Sequence, residues 1–143
     1  MLYYYAEKNN FCVVGTTNKS EFLQGYFVKY GDGGTDIEPL TNLYKSQIYQ
    51  IGQFLEIPNE ILNSDPSPDI WSFSTSDEEF FYSVPYHIVD LILYARENNI
   101  SKSEIQKISN LSLEHIENLI RFQNQKQVKS QHMREIPHSW KNI

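Results

Sequence analysis

A short apolar run, Phe11-Cys12-Val13-Val14, ends at Gly15 and opens a segment containing Gly15, Gly25, Gly31, Gly33 and Gly34, five of the six glycines in the 143 residues. No other stretch constrains the fold as much. A continuous apolar run of this length reads as a strand buried on both faces. A buried parallel strand needs neighbours on both edges, and parallel neighbours need crossover helices. No second confident strand is visible in the chain. The expected fold is therefore α/β, present only as its C-terminal part, with the missing strands supplied upstream or by a second polypeptide. Glycine is costly to order and is kept where backbone takes φ > 0 or approaches a ligand closely. Residues 13–47 thus read as a ligand-facing loop system, and Thr16, Glu21, Lys29, Asp32, Asp36 and Lys45 suit a metal, a phosphate and a polar substrate. An ordinary solvated loop, also rich in Gly and Asp, is the simpler alternative.

Helical signals surround this segment. Residues 2–8, LYYYAEK, read as the tail of a helix stopped by Asn9-Asn10, with nothing upstream to cap it. Asn18 or Ser20 is placed to cap a short helix through Leu23. Thr41 precedes an amphipathic helix, NLYKSQIYQIGQFLEI, with Leu43, Ile48, Ile51, Phe54 and Leu55 on one face, and PNEIL forms a further turn. The polar segment DPSPDIWSFSTSDEE is long enough to be functional or unstructured. Residues 85–129 form a helical portion. Its first helix has a stripe at Ile88, Leu91, Ile92 and Ala95, and Ser101 with Glu104 makes a capping box. The tail is polar and extended near its end.

A chain of this size builds a real core. Its net charge of −6 argues against a nucleic-acid partner. Cys12 is the only cysteine, which excludes an internal disulfide and a Cys-based zinc site, and its apolar setting reads as buried. No basic-then-apolar leader and no apolar run near the ~20 residues of a membrane span occur, so a soluble cytoplasmic protein is expected.

Several constellations carry chemistry. Thr16 and Glu21 can both face the space beyond the carboxyl end of the strand, where open α/β sheets bind ligands. There a hydroxyl donates to phosphate or ribose and a carboxylate holds Mg²⁺ against a triphosphate; a Glu favoured by the helix dipole is the plain alternative. Ser67 between Pro66 and Pro68 is a hydroxyl on stiff backbone, or part of a rigid linker. The histidines, His87, His115, His132 and His138, show no zinc spacing. Residues 101–122 have the layout of a helix-turn-helix, but Glu114 and Glu117 in the second helix would repel phosphate. A helical hairpin on the main body is the better account.

GTTNKSE, KYGDGGTD, PLTNLYKSQ, PSPDIW, SDEE and the late His132-Met133-Arg134 together resemble the NAD synthase family, from about residue 1 to 140. The resemblance implies a Rossmann-like adenine nucleotide α-hydrolase fold and an ATP-dependent amidation of deamido-NAD through an acyl-adenylate. It implies that Thr16, Lys45 and Ser67 contact ATP and that Glu21 ligates Mg²⁺. Lys29, Asp36, His132 and Met133 would contact the dinucleotide. Ammonia, free or delivered, is the nitrogen donor, and a homodimer is the expected assembly.

Three departures qualify this. The family's SGGxDS pyrophosphate loop is absent, so the chain alone should not turn over and an upstream half is expected to supply it. The family's His-Lys pair reads His132-Met133, and SDEEFFYSVPY is one residue longer and lacks its glycine. Both leave open amidation of another carboxylate, and a non-catalytic remnant or partner subunit is the alternative from another class.

Overall fold

The structure, a computed structural model, describes residues 1–67, 76–77 and 81–137. The chain divides into two compact units, one of Met1–Asn42 with Arg121–Ile143 and one of Leu43–Ile120.

In the first unit, α1 (Leu2–Asn9) stops as expected at Asn10, whose left-handed φ of 55° lets its N–H reach the last carbonyls. Its N-cap, Met1, makes no side-chain cap bond. Within this chain the strand expected at Phe11–Val14 is neither formed nor covered on both faces among the described residues. Val13 is buried, but Phe11 is 72% and Val14 55% exposed, and Cys12 is exposed rather than a small core residue. The cause is pairing on one side only: among the described residues the run makes a single parallel bridge, Val14 with Ile37, and no named strand forms. The bridge rests on Gly15 N–H donating to Ile37 O at 2.7 Å and Asp36 N–H donating to Val13 O at 2.9 Å.

Next, α2 (Lys19–Gln24) starts at Asn18 with a reciprocal capping box to Glu21. It ends at Gly25, φ 69°, where a Cβ would lie 2.1 Å from the Ser130 Cβ. Gly25 is thus required twice, by its backbone and by the close approach. The later part of α7 (Leu113–Lys129), from Arg121, and the one-turn α8 (Gln131–Arg134) complete the unit, so the tail is helical before Glu135 becomes extended.

The second unit is helical. Its first helix, α3 (Lys45–Phe54), starts three residues later than its apolar pattern predicts, because the Thr41 hydroxyl donates to Glu38 instead of capping. The start is fixed instead by the buried Asp90 carboxylate, which accepts from Ser46 N–H at 2.8 Å. The expected stripe on α3 is not buried either: Ile51, Phe54 and Leu55 are exposed. Then come α4 (Asn59–Leu62), α5 (Tyr86–Glu97) and α6 (Lys102–Ser109), with the start of α7; α3 packs on α4 and α5, and α5 on α6.

The core of this unit is Ile88, Ile92, Ala95, Ile105, Ile116 and Leu119, with Leu91 packed against it, so the expected α5 stripe does bury. Each of its isoleucine and leucine side chains contributes about 1.5–3 kcal/mol on burial. Ser101 and Glu104 form the expected capping box. α6 and α7 are joined by residues 110–112 and tied by Lys102–Glu117 at 2.6 Å. Among the described residues no helix is long and apolar enough to cross a membrane.

Candidate functional site

The glycine-rich turn of the first unit builds a hollow there. The Asp32 carboxylate accepts from Val28 N–H at 2.7 Å, and Val28 O accepts from Gly31 and Gly33 N–H, closing a tight turn. Gly33 is needed at φ < 0 for space, since a Cβ would meet the Phe27 ring at 2.7 Å. The turn, α2 and α8 enclose a pocket of about 680 Å³ lined by Phe22, Phe27, Lys29, Asp36, Met133 and Arg134, with Tyr3, Tyr30 and Glu38. Three of the four residues expected at the dinucleotide, Lys29, Asp36 and Met133, therefore meet in one pocket. His132 is exposed on α8 and enters through its carbonyl alone, as a partner of Lys29.

The polar groups of this pocket are engaged within the protein. Asp36 accepts from Val13 N–H at 2.7 Å and from the Tyr3 hydroxyl at 3.1 Å, so the loop is anchored to the apolar run across 23 residues. Desolvation, then the bond to Asp36 and its charge, raise the Tyr3 hydroxyl above its ordinary pKa, which keeps it a donor. Glu38 takes hydroxyls from Thr35 and Thr41. The Lys29 ammonium donates to His132 O and Glu135 O. The apolar part comes from Phe22 and Phe27, stacked at 5.6 Å and 14°. This pocket suits a ligand with a flat apolar part and hydrogen-bonding groups.

Thr16 lines an adjoining hollow of about 480 Å³ with Gly15, Tyr30 and Thr35. Glu21 stands on α2, where its Oε2 accepts from Asn18 N–H at 3.0 Å in the capping box. Among the described residues no three His, Cys, Asp or Glu side chains gather to hold a metal ion. A cation at Glu21 would therefore draw most of its ligands from nucleotide and water, as Mg²⁺ does with phosphates.

In the second unit a cleft of about 660 Å³ brings together Lys45 and Ser67, the two residues expected at the ATP phosphates. Ile48, Ile57, Ile61, Leu62 and Asp65 also line it. The Lys45 ammonium lies over the Tyr49 and Tyr86 rings, 6.0 and 5.5 Å from their centroids. Tyr86 in turn donates to the buried Asp77 at 3.1 Å. Behind the helix start, burial and the 2.6 Å bond to Glu97 push the Tyr44 hydroxyl far above the phenol range, so it serves as a permanent donor. The remainder of PSPDIW from Pro68, the glutamates of SDEE and His138 lie outside the described residues.

Residue reading alone did not find Tyr3, Phe22, Phe27, Glu38 or Arg134. The i, i+3 spacing of Thr35, Glu38 and Thr41 was the one local signal available, since a Glu flanked by hydroxyls at that spacing forms a side-chain network.

Known proteins resemble this chain in sequence and in fold. A family model described as NAD synthase matches residues 1–137. The NH(3)-dependent NAD(+) synthetase of Rhizobium rhizogenes is 41% identical over 82% of this chain and 35% of its own length. That of Thermococcus sibiricus is 38% identical over 96% of this chain and 52% of its own. Among solved structures, NMN synthetase from Francisella tularensis superposes with TM-score 0.71 at 30% identity, covering 96% of this chain and 50% of that one. NH3-dependent NAD synthetase from Campylobacter jejuni, in complex with the nitrate ion, gives 0.69 at 26%, covering 98% and 49%. The chain thus spans about half or less of these relatives. The family model covers residues 1–137 of the 143, and the chain belongs to the NAD synthase family.

Proposed function

We propose that this chain carries the acceptor pocket and part of the ATP site of an ATP-dependent amide ligase that converts deamido-NAD to NAD. The observation that carries this reading is the convergence of Lys29, Asp36 and Met133 on one aromatic-walled pocket, in a chain matched by the family model from residue 1 to 137. The flat pyridine ring suits the Phe22–Phe27 wall. In the reaction the ring carboxylate attacks the α-phosphorus of ATP and pyrophosphate leaves. Ammonia then attacks the acyl carbon of the acyl-adenylate, AMP leaves, and the ammonia nitrogen loses its extra proton.

Lys45 and Ser67, paired in one cleft, would hold phosphate oxygens, and Thr16 would donate to the nucleotide. Glu21 would supply a carboxylate oxygen to Mg²⁺, which neutralises phosphate charge when bound. The pyrophosphate loop would come from an upstream half, with a homodimer as the assembly.

One observation favours a second acceptor. Met133 stands where the family resemblance expects a lysine, and the Francisella structure is an NMN synthetase. On that reading nicotinate mononucleotide, with one phosphate, is the acceptor.

The test is AMP release from ATP and ammonia, using this chain alone and then with a polypeptide carrying the SGGxDS loop. Ammonia-dependent AMP release with deamido-NAD, only when the loop is supplied, is the expected result. Turnover by the chain alone contradicts the need for an upstream half. A preference of about tenfold or more for the mononucleotide, worth about 1.4 kcal/mol, replaces the first acceptor by the second.

A further inference from the structure

Lys29 reaches across 103 and 106 residues to donate to His132 O at 2.7 Å and Glu135 O at 2.5 Å. These carbonyls lie in and just past α8, a single turn of four residues that begins with Met133 N–H donating to Ser130 O at 3.0 Å. The last carbonyls of a helix lack partners within it and carry partial negative charge, so an ammonium there satisfies both. Arg134 grips the same turn from within: its guanidinium donates to Phe22 O, Ser130 Oγ and Gln127 O. The close approach of Gly25 to Ser130 fixes where the turn begins.

We infer that Lys29 and Arg134 are positioning residues that clamp residues 130–135 so that Met133 stands in the pocket wall, their charges directed to main-chain carbonyls rather than to a substrate phosphate. The inference rests on the reading of this pocket as the acceptor site. It explains how a one-turn helix can form a wall: four residues cannot sustain a helix by propensity. It also sharpens the role of Lys29, which serves the acceptor through the shape of the wall.

The test compares Lys29→Met, Lys29→Gln and Lys29→Arg in the full 143-residue chain by amide hydrogen exchange and by deamido-NAD titration at low and high salt. Lys29→Met should speed exchange at Met133 and its neighbours by about tenfold while the amides of α5 keep their protection. Lys29→Arg should restore most of the protection, and Lys29→Gln, which retains donors without charge, should fall between. Deamido-NAD binding should weaken in Lys29→Met by the same factor at both salt concentrations. Unchanged exchange at residues 130–136 in Lys29→Met, with a binding loss confined to low salt, would overturn the clamp and restore Lys29 as a direct phosphate contact. If the unmodified chain does not bind deamido-NAD, the acceptor assignment fails, and the exchange comparison still decides the clamp.

Discussion

The two units of this chain are held together by different physics. In Leu43–Ile120 the core is mainly aliphatic, centred on Ile92, Ala95, Ile105 and Ile116 at 0–1% exposure, with Tyr44, Tyr82, Tyr86, Asp77 and Asp90 buried beside it. In Met1–Asn42 with Arg121–Ile143 the buried hydrophobics are few, Ala6 and Val13, while Thr17, Asn18, Ser20, Gln24, Gln123 and Ser130 are buried and polar. Apolar burial is non-directional and tolerates small shifts, whereas buried polar groups must meet their partners at defined distances. The unit with the polar interior also has the pocket proposed for the acceptor. The second unit joins its aliphatic core to the cleft of Lys45 and Ser67.

This contrast breaks if substitutions in the two interiors behave alike. The largest effect is expected from Ile92→Ala, which removes a fully buried side chain and should cost about 2–5 kcal/mol in urea unfolding. It should leave exchange rates around residues 27–36 nearly unchanged under native conditions. Gly25→Ala places a methyl where φ is 69° and Ser130 has no room, and should cost about 2 kcal/mol. Its signature is local: faster exchange at α8, which Ile92→Ala should not produce. Asn18→Ala removes the cap of α2 and leaves Glu21 N–H without its acceptor, at about 1 kcal/mol by thermal unfolding.

The smallest effect concerns Lys126, whose burial lowers its ammonium pKa to about 8 from 10.5. Its charge also faces the Phe122 ring at 4.2 Å, a contact that favours the charged form but does not offset the desolvation. Between those values the unfolded chain holds a proton that the folded chain has lost, so stability should rise with pH from about 8 to 10.5. Lys126→Met should remove that rise and stabilise the protein at neutral pH by no more than about 1 kcal/mol, since the residue is only partly buried. Thermal unfolding at pH 7 and 10 checks both.

What the sequence made legible follows the same division. The α5 stripe and the Ser101–Glu104 box are periodic or near in sequence, and both are present as read. The start of α3 was misread because the group that fixes it, Asp90, is 44 residues away. Phe11–Val14 looked like core because an apolar run signals burial only if something covers it, and among the described residues Val13 alone is covered. The candidate residues were legible as residue types, and most of them line three hollows: Lys29, Asp36 and Met133 one, Lys45 and Ser67 another, and Thr16 a third. The partners of Lys29 and Asp36 were not, since a bond spanning 23 or 103 residues leaves no local pattern.

The central claim is that the polar-interior unit holds the acceptor. The most direct measurement is residue-resolved amide exchange of this chain with and without saturating deamido-NAD. The account predicts slower exchange at Val28–Asp36 and at Gln131–Arg134, with little change in α5 and α6. Protection confined to α5 and α6, or none at any concentration, would contradict it.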